Sequence, residues 1–441
     1  MLNKKNIGLL GLLVAVFAVI AAVKGVGALL ALVPMFGTVL GMRGTGSFTT
    51  TGQRPENWED RIIERYGNLA PLTAVLGMLP KGKATDDYKF HWFEEAWPTQ
   101  RLRINNGPGY VAGDTTLTVY ATDSSTPIAG AQSIRAGHIL WNERTGEKMY
   151  VTTDPGSDTS IAVTRGYGTT SAAAINHQDW LTVLAATHGE GADVPQSIGY
   201  DPVEVNNYTQ IMRVPIKLTG TALNTNFRTG DEYKNARRRA LRDFSIHKEM
   251  SYIFGEYKLS TDSNGQRIST TRGIVEHLKA YASSNVITNV GALSESAFDG
   301  YMETLFTNTG SGNKLALCGA HVLNVLTQMA KGGKITMRDV PQNESYGMNL
   351  TRYITPFGEL MIKQHALFSR HPVLTNNMLI VDTEYVKERP FKGDRGTVQV
   401  LKDRQSPGVD GKTDEYFQEA GIETQYGESH MYLTGITSFA P

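Results

Sequence analysis

The longest apolar run in the chain lies at its start. After Lys4 and Lys5, residues Ile7 to Val23 are apolar without a break; Lys24 follows, and Gly25 to Met42 is apolar again, interrupted only by glycine, proline and threonine. By length each half approaches a membrane-spanning helix, and the Lys–Lys start also has the form of a signal peptide. Two further readings stand beside that one: a hydrophobic arm buried between subunits, and a true start of translation at Met42. After Met42 the composition changes to Arg43-Gly44-Thr45-Gly46-Ser47, a polar flexible stretch.

Beyond it the pattern becomes that of a folded chain. Asn57 to Tyr66 predicts a short amphipathic helix, with Asn57 as N-cap, Trp58, Ile62 and Tyr66 on one face, and Gly67-Asn68 at its end. Pro71 to Gly77 is a second apolar patch, which on an arm would need a partner surface. Aromatic residues crowd the next segment at Phe90, Trp92, Phe93 and Trp97, and Asn105-Asn106-Gly107-Pro108-Gly109 breaks the chain. Five short strand-like runs follow, at Thr116–Ala121, His138–Asn142, Lys148–Thr152, Ser160–Thr164 and Asp179–Ala186, with tight turns at Arg144-Thr145-Gly146 and Arg165-Gly166-Tyr167-Gly168. This spacing predicts a small antiparallel barrel or sandwich over 106–189.

Gln210 to Thr221 alternates and contains Pro215, which places it at a sheet edge or on an arm. The clearest helix runs over 231–255. Thr229 or Asp231 caps it, Gly255 ends it, and Tyr233, Ala236, Ala240, Phe244 and His247 form its apolar stripe. Arg237, Arg238, Arg239, Arg242 and Lys248 form the opposite, solvated face. A turn at Asp262–Gly265, a helix from Ser294 to Thr307, a buried strand from Lys314 to Cys318 and a helix from Ala320 to Ala330 follow. Leu350–Thr355 and Leu360–Ala366 flank Pro356-Phe357-Gly358-Glu359 as a hairpin. Met378–Val381 is a further buried strand, and Gly421–Gly435 a long β-type run.

Composition narrows the function classes. The 441 residues suffice for two or three packed units. Lys plus Arg and Asp plus Glu are both 43, a net charge of zero, which argues against a dedicated nucleic-acid binder but not against a container for nucleic acid. Cys318 is the only cysteine, so there is no intrachain disulfide and no cysteine-rich zinc site. No stretch matches a zinc-protease, Walker, Rossmann or nucleophile-elbow motif. Lys331-Gly332-Gly333-Lys334-Ile335 lacks the hydroxyl residue of a phosphate loop, and Asp262-Ser263-Asn264-Gly265 lacks the closing glutamate of a calcium loop. His247 and His321 are packing or surface residues. No catalytic, cofactor-binding or metal-ligating residue is expected, and no cofactor.

The order of these parts resembles the major capsid proteins of tailed phages with the Hong Kong 97 type of fold, in the subfamily with a β-rich insertion. The carrying segments are Arg54-Pro55-Glu56-Asn57-Trp58-Glu59-Asp60 with Pro71-Leu72, Phe90-His91-Trp92, Asn207-Tyr208-Thr209-Gln210-Ile211 with Leu218-Thr219-Gly220-Thr221-Ala222, Ile253-Phe254-Gly255, and Thr271-Arg272-Gly273-Ile274. The resemblance implies an α+β chain divided into an apolar segment (1–45), an N-terminal arm (46–80), an extended loop (81–105 and 190–222), an inserted β-domain at its tip (106–189), a peripheral domain with a spine helix (223–285 and 380–441) and an axial domain (286–379). It implies a non-enzymatic virion protein that forms hexamers and pentamers of an icosahedral shell. Its partners would be copies of itself, scaffolding, portal and decoration proteins, and weakly held double-stranded DNA. Trp58, Ile62, Tyr66, Leu72, Trp92 and Phe93 are the expected inter-subunit contacts. Residues 1–45 do not resemble the charged scaffolding segment that such proteins often carry, which suggests a separate scaffolding protein or another assembly route. An encapsulin-like compartment and a membrane-anchored surface protein are the alternatives.

Overall fold

The computed structural model describes residues 69–95, 100–121, 129–199, 201–307, 311–331, 337–339 and 351–440. The apolar run at 7–42 and the expected helix at 57–66, with Trp58, Ile62 and Tyr66, lie outside the described residues. Those described form an α+β fold.

Helix α1 (Pro71–Met78) starts on a proline, whose missing N–H costs nothing in a first turn. Its face of Leu72, Val75 and Leu76 is buried in the chain's own main core, beside Phe244, Ile253 and Leu278. The patch expected to await a neighbour is therefore already covered. Replacing Leu72 with alanine is expected to destabilise the isolated chain by about 2–5 kcal/mol. Calorimetry would read this as a lowered Tm; an unchanged Tm would mean the side chain carries no core packing.

Strand β1 (Lys89–Glu94) pairs antiparallel with β8 (Val203–Tyr208) as a two-stranded ribbon. Between them in sequence stand β2 (Arg101–Arg103), β3 (Thr116–Thr118), β4 (His138–Asn142), β5 (Lys148–Val151), β6 (Ser160–Thr164) and β7 (Trp180–Ala186), in the spatial order β2-β7-β4-β5-β6-β3. The two ends of this sheet meet. The Asn105 N–H donates to the Thr118 carbonyl and the Tyr120 N–H to the Arg103 carbonyl, each at 2.9 Å. The unit is thus a small closed barrel rather than a sandwich. Alternation sends Leu102, Leu117, Leu140, Met149, Val151, Ile161, Val163 and Leu181 to its interior. A buried pair, Arg165 on Glu147 at 2.8 Å, pins the loop after β6, because Glu147 also accepts from the Gly166 and Ala173 N–H groups.

Strand β9 (Gln210–Thr219) continues from the ribbon and leads through a short helix α2 (Gly220–Asn224) into α3 (Glu232–Phe254). Asp231 settles the cap: its carboxylate accepts from the Tyr233 and Lys234 N–H groups. Strands β10 (Lys258–Thr261) and β11 (Arg267–Thr270) form a hairpin around Asp262, whose side chain accepts from Asn264 and Gln266 N–H. Helix α4 (Ile274–Tyr281) follows.

The rest of the chain builds a seven-stranded sheet and most of a four-stranded one. In order along the chain come β12 (Val286–Ile287), β13 (Gly291–Leu293), α5 (Glu295–Thr307), β14 (Asn313–Cys318), α6 (Ala320–Lys331), β15 (Met337–Asp339), β16 (Thr351–Ile354), β17 (Glu359–Gln364), α7 (Ala366–Arg370), β18 (Met378–Asp382), β19 (Val386–Pro390), β20 (Gln399–Leu401), β21 (Gly411–Thr424), β22 (Met431–Leu433) and β23 (Ile436–Phe439). The larger sheet runs β12-β22-β18-β14-β17-β16-β15. Leu315 and Leu317 of β14 face the core shared with α3 and α4, whereas Ala316 and Cys318 face the core under α5 and α6. Cys318 is fully buried there, and burial pushes its thiol well above the usual cysteine range.

One expectation changes at this level. The boundary at 379/380 does not hold for the last strands: β22 pairs with β12 and β18, and β23 pairs with β13. Met431, Tyr432 and Leu433 are all buried, and an apolar strand of that kind needs partners on both sides. Of β21, β22 and β23, only β21 belongs to the smaller sheet, where it pairs with β19, β20 and, over ten residues, β9. Strand β9 is an edge, and Pro215 sits there without disrupting a central ladder.

Candidate assembly surfaces

Of the three expected contact residues that lie among the described residues, one is exposed. Leu72 is 1% exposed and packs inside its own chain. Next to it, Glu249 of α3 accepts from the Leu72 N–H (2.8 Å), the Thr73 N–H (2.7 Å) and the Thr73 hydroxyl (2.5 Å), and meets His365 Nε2 at 3.0 Å. A buried carboxylate thus caps α1 and locks it to α3. Trp92 is 7% exposed, stacked on Phe90 at 6.0 Å and on His277 at 6.3 Å, with its indole N–H on Glu94. Strand alternation decides between the neighbours: with Phe90 and Trp92 turned to the core, Phe93 turns out and is 69% exposed. Leu72 and Trp92 are therefore core residues, not surface contacts.

The long helix departs from its expected faces too. Lys248 is buried and pairs with Glu388 at 2.6 Å, while His247 is exposed. Lys248 lies one turn from both Phe244 and Tyr252, which places it on the core stripe. Glu388 also accepts from the Tyr252 hydroxyl and the Gln418 side-chain amide. Burial pushes Glu388 upward, but the charge and hydrogen bond of Lys248, with the Tyr252 hydroxyl and the Lys81 charge, together outweigh it and hold the carboxyl below its ordinary range. No periodicity in the sequence separates this lysine from the arginines before it.

The face of the smaller sheet turned away from α3 carries a ladder of charges unforeseen in the sequence. Strand alternation puts Glu415, Phe417, Glu419 and Glu423 of β21 on that face, alongside Ile211 and Arg213 of β9. Arg213 makes a two-pronged contact with Glu415, Arg404 lies 3.8 Å from the same carboxylate, Arg395 pairs with Glu419 at 2.8 Å and Arg389 with Glu423 at 2.7 Å. The arginine at 395 also lies over the Phe417 ring at 5.0 Å. One signal in the sequence could have found the ladder: four-residue spacing of Glu415, Glu419 and Glu423, read as period two.

Among the described residues no group of three or more His, Cys, Asp or Glu side chains could hold a metal ion. No helix among them is long and apolar enough to cross a membrane.

Comparison with known proteins places the chain. A curated relative, the major capsid protein of Pseudomonas phage PaMx41, is 30% identical over 401 residues, covering 87% of this chain and 90% of the relative. Among solved structures, the capsid of Myoviridae phage XM1 aligns at a TM-score of 0.41 and 8% identity, over 86% of this chain and 97% of that one. The structure from Microbacterium phage Oxtober96 aligns at 0.41 and 11% identity, over 87% and 96%. The model of the SU10 major capsid protein family matches residues 44–437, which spans the barrel, both sheets and the last strand pairings alike. With that match running through every part of the described fold, the chain belongs to the SU10 major capsid protein family.

Proposed function

We propose that the chain, a phage major capsid protein of the virion shell, closes as hexamers and pentamers into an icosahedral head of the Hong Kong 97 type around double-stranded DNA. The carrying observation is the β1–β8 ribbon. It is two strands wide, ends at the barrel, and turns Phe93 (69% exposed) and Val203 (52% exposed) outward. Its inner face, with Phe90, Trp92 and Val205, packs on the chain's own core, and its outward residues are left for a neighbouring subunit to cover.

In this reading the ribbon is the extended loop and the barrel its tip. Helix α3 is the spine of the peripheral domain, together with the sheet of β9, β19, β20 and β21. The seven-stranded sheet with α5 and α6 is the axial domain, now including residues 431–439. Phe93, with Trp58, Ile62 and Tyr66, supplies contacts between subunits. The role is structural, with no catalytic step. Scaffolding, portal and decoration proteins are its further partners, and the balanced charge suits a wall that holds DNA loosely.

Negative-stain electron microscopy of the purified chain, expressed once from Met1 and once from Met42, tests this. Closed polyhedral shells or hexamer and pentamer rings are expected from at least one form. Monodisperse monomers alone, or material recovered only in detergent, would overturn it.

A further inference from the structure

Among the described residues three lysines or arginines are buried: Lys248, Lys314 and Arg272. Two of them sit on a carboxylate. Lys248 meets Glu388 at 2.6 Å, and Lys314 meets Asp382 at 2.8 Å. Arg272 is the exception. It is 9% exposed, its Nε and Nη1 are enclosed, and its guanidinium forms no ion pair and no hydrogen bond among the described residues. A buried charge without a partner is strongly unfavourable, whereas a guanidinium on an oxyanion makes charge-assisted, two-pronged bonds.

The chain holds this guanidinium in a defined place. Asn207 of β8 fixes the backbone: its Oδ1 accepts from the Arg272 N–H at 2.7 Å, and its Nδ2 donates to the Arg272 carbonyl at 3.0 Å. The side chain lies between two rings, with Cζ 4.1 Å from the centre of Tyr257 and 5.1 Å from that of Tyr281. Ring faces attract the cation, but they leave the N–H donors around its edge unused. The Tyr257 hydroxyl donates to Asn206 Oδ1 at 2.5 Å. Tyr281 packs on His277, with 4.9 Å between ring centres, and on Arg272, while its hydroxyl bonds to nothing among the described residues. It is the last residue of α4 and is 45% exposed, so the guanidinium lies one ring below the surface.

We infer that Arg272 is the cationic half of a binding site for an oxyanion, a phosphate or a carboxylate, that this chain does not itself supply. Tyr281 turns aside to admit the anion and offers its hydroxyl as a further donor. The guanidinium fork matches the oxygens of either group. The site belongs to the single chain and does not rest on the shell reading. The anion comes free from solution or on an acidic side chain of another polypeptide, and the test separates the two.

Unfolding midpoints of the purified full-length chain are measured in rising sodium phosphate and in rising sodium acetate, against sodium chloride at matched ionic strength and pH. With a free anion as ligand, the parent gains about 1–2 °C, saturably, at tenfold excess over the Kd. Arg272→Met should show no gain, and Arg272→Lys, which keeps the charge but loses the fork, only part of it. In chloride Arg272→Met should melt at or above the parent, because it removes a buried charge that has no partner. A density map of assembled particles reads the other source, as a carboxylate continuous with a second polypeptide on the guanidinium. A saturable gain that needs Arg272 supports the site with a free anion; that carboxylate without a gain supports it with a side chain. Neither gain nor carboxylate overturns it, as does an equal gain in parent and Arg272→Met. Melting of Arg272→Met well below the parent in chloride also overturns it, by making Arg272 a packing residue held by its two rings.

Discussion

Replacing Lys314 with alanine is expected to cost the isolated chain about 3–5 kcal/mol, the range for breaking a buried ion pair by removing one partner. Lys314 and Asp382 face each other in the register of β14 and β18, with both side chains at 0% exposure. The ammonium donates to Asp382 Oδ2 at 2.8 Å and to the Ser429 carbonyl at 3.0 Å. Burial pulls the lysine below its usual value, and the Asp382 carboxylate, with a smaller contribution from the Glu384 charge, opposes it. Alanine leaves that carboxylate buried without its cation, at the centre of the seven-stranded sheet. The double replacement Lys314→Met with Asp382→Leu removes both charges and keeps most of the volume. It is expected to recover most of the loss. Urea unfolding of the three chains checks this, and equal stability of the single variant and the parent would show that the pair contributes nothing net.

The second large effect is acid sensitivity. Burial pulls His277 down to about 3, with His430 and Arg272 adding to the shift. His430 is likewise pulled down to about 3, by burial and then by Lys314. The hydrogen bonds of His430 fit only the neutral ring: Nδ1 accepts from the Asp382 N–H at 3.0 Å, and Nε2–H donates to the Gln425 carbonyl at 3.1 Å. A second proton would point at an N–H group. Both histidines bind protons in the unfolded chain from about pH 6.5 but in the folded chain only near 3. Folding stability is therefore complete well above pH 6.5 and falls as the pH drops toward 3. Each histidine contributes about 1.4 kcal/mol per pH unit. Between pH 6.5 and 5 the loss should reach about 3 kcal/mol. Carboxylates held low, such as Glu388, titrate below this window in the folded chain, whereas His138, pulled down by burial, adds to the same loss and Glu94, pushed up by burial, opposes it. Unfolding midpoints of the isolated chain at both pH values, for the parent and for His277→Phe, measure it. The variant should lose about half the slope; an unchanged slope would show that His277 does not titrate on unfolding.

A single glycine shows how closely the ribbon is held. A Cβ added at Gly421 would lie 2.7 Å from the Phe90 ring and 2.7 Å from the Tyr208 carbonyl. Strand β21 can therefore run beneath the ribbon only because this position has no side chain.

What the sequence determined by itself was local. Asp231 and Gly255 bound the long helix because caps act within one turn. The barrel strands and the 351–364 hairpin were visible because alternation and turn residues repeat over a few positions. The match to one capsid family shows that the order of these parts also identified the chain. The tertiary structure decided everything that depends on a partner distant in sequence. It closed the barrel between 104 and 119, returned 431–439 to the larger sheet, and buried Lys248 against Glu388 and Leu72 against α3. A lysine on a helix and a leucine on an arm have the same local pattern whether they face water or a core. Their environment is set by whichever strand or helix packs across them, and that partner lies tens to hundreds of residues away.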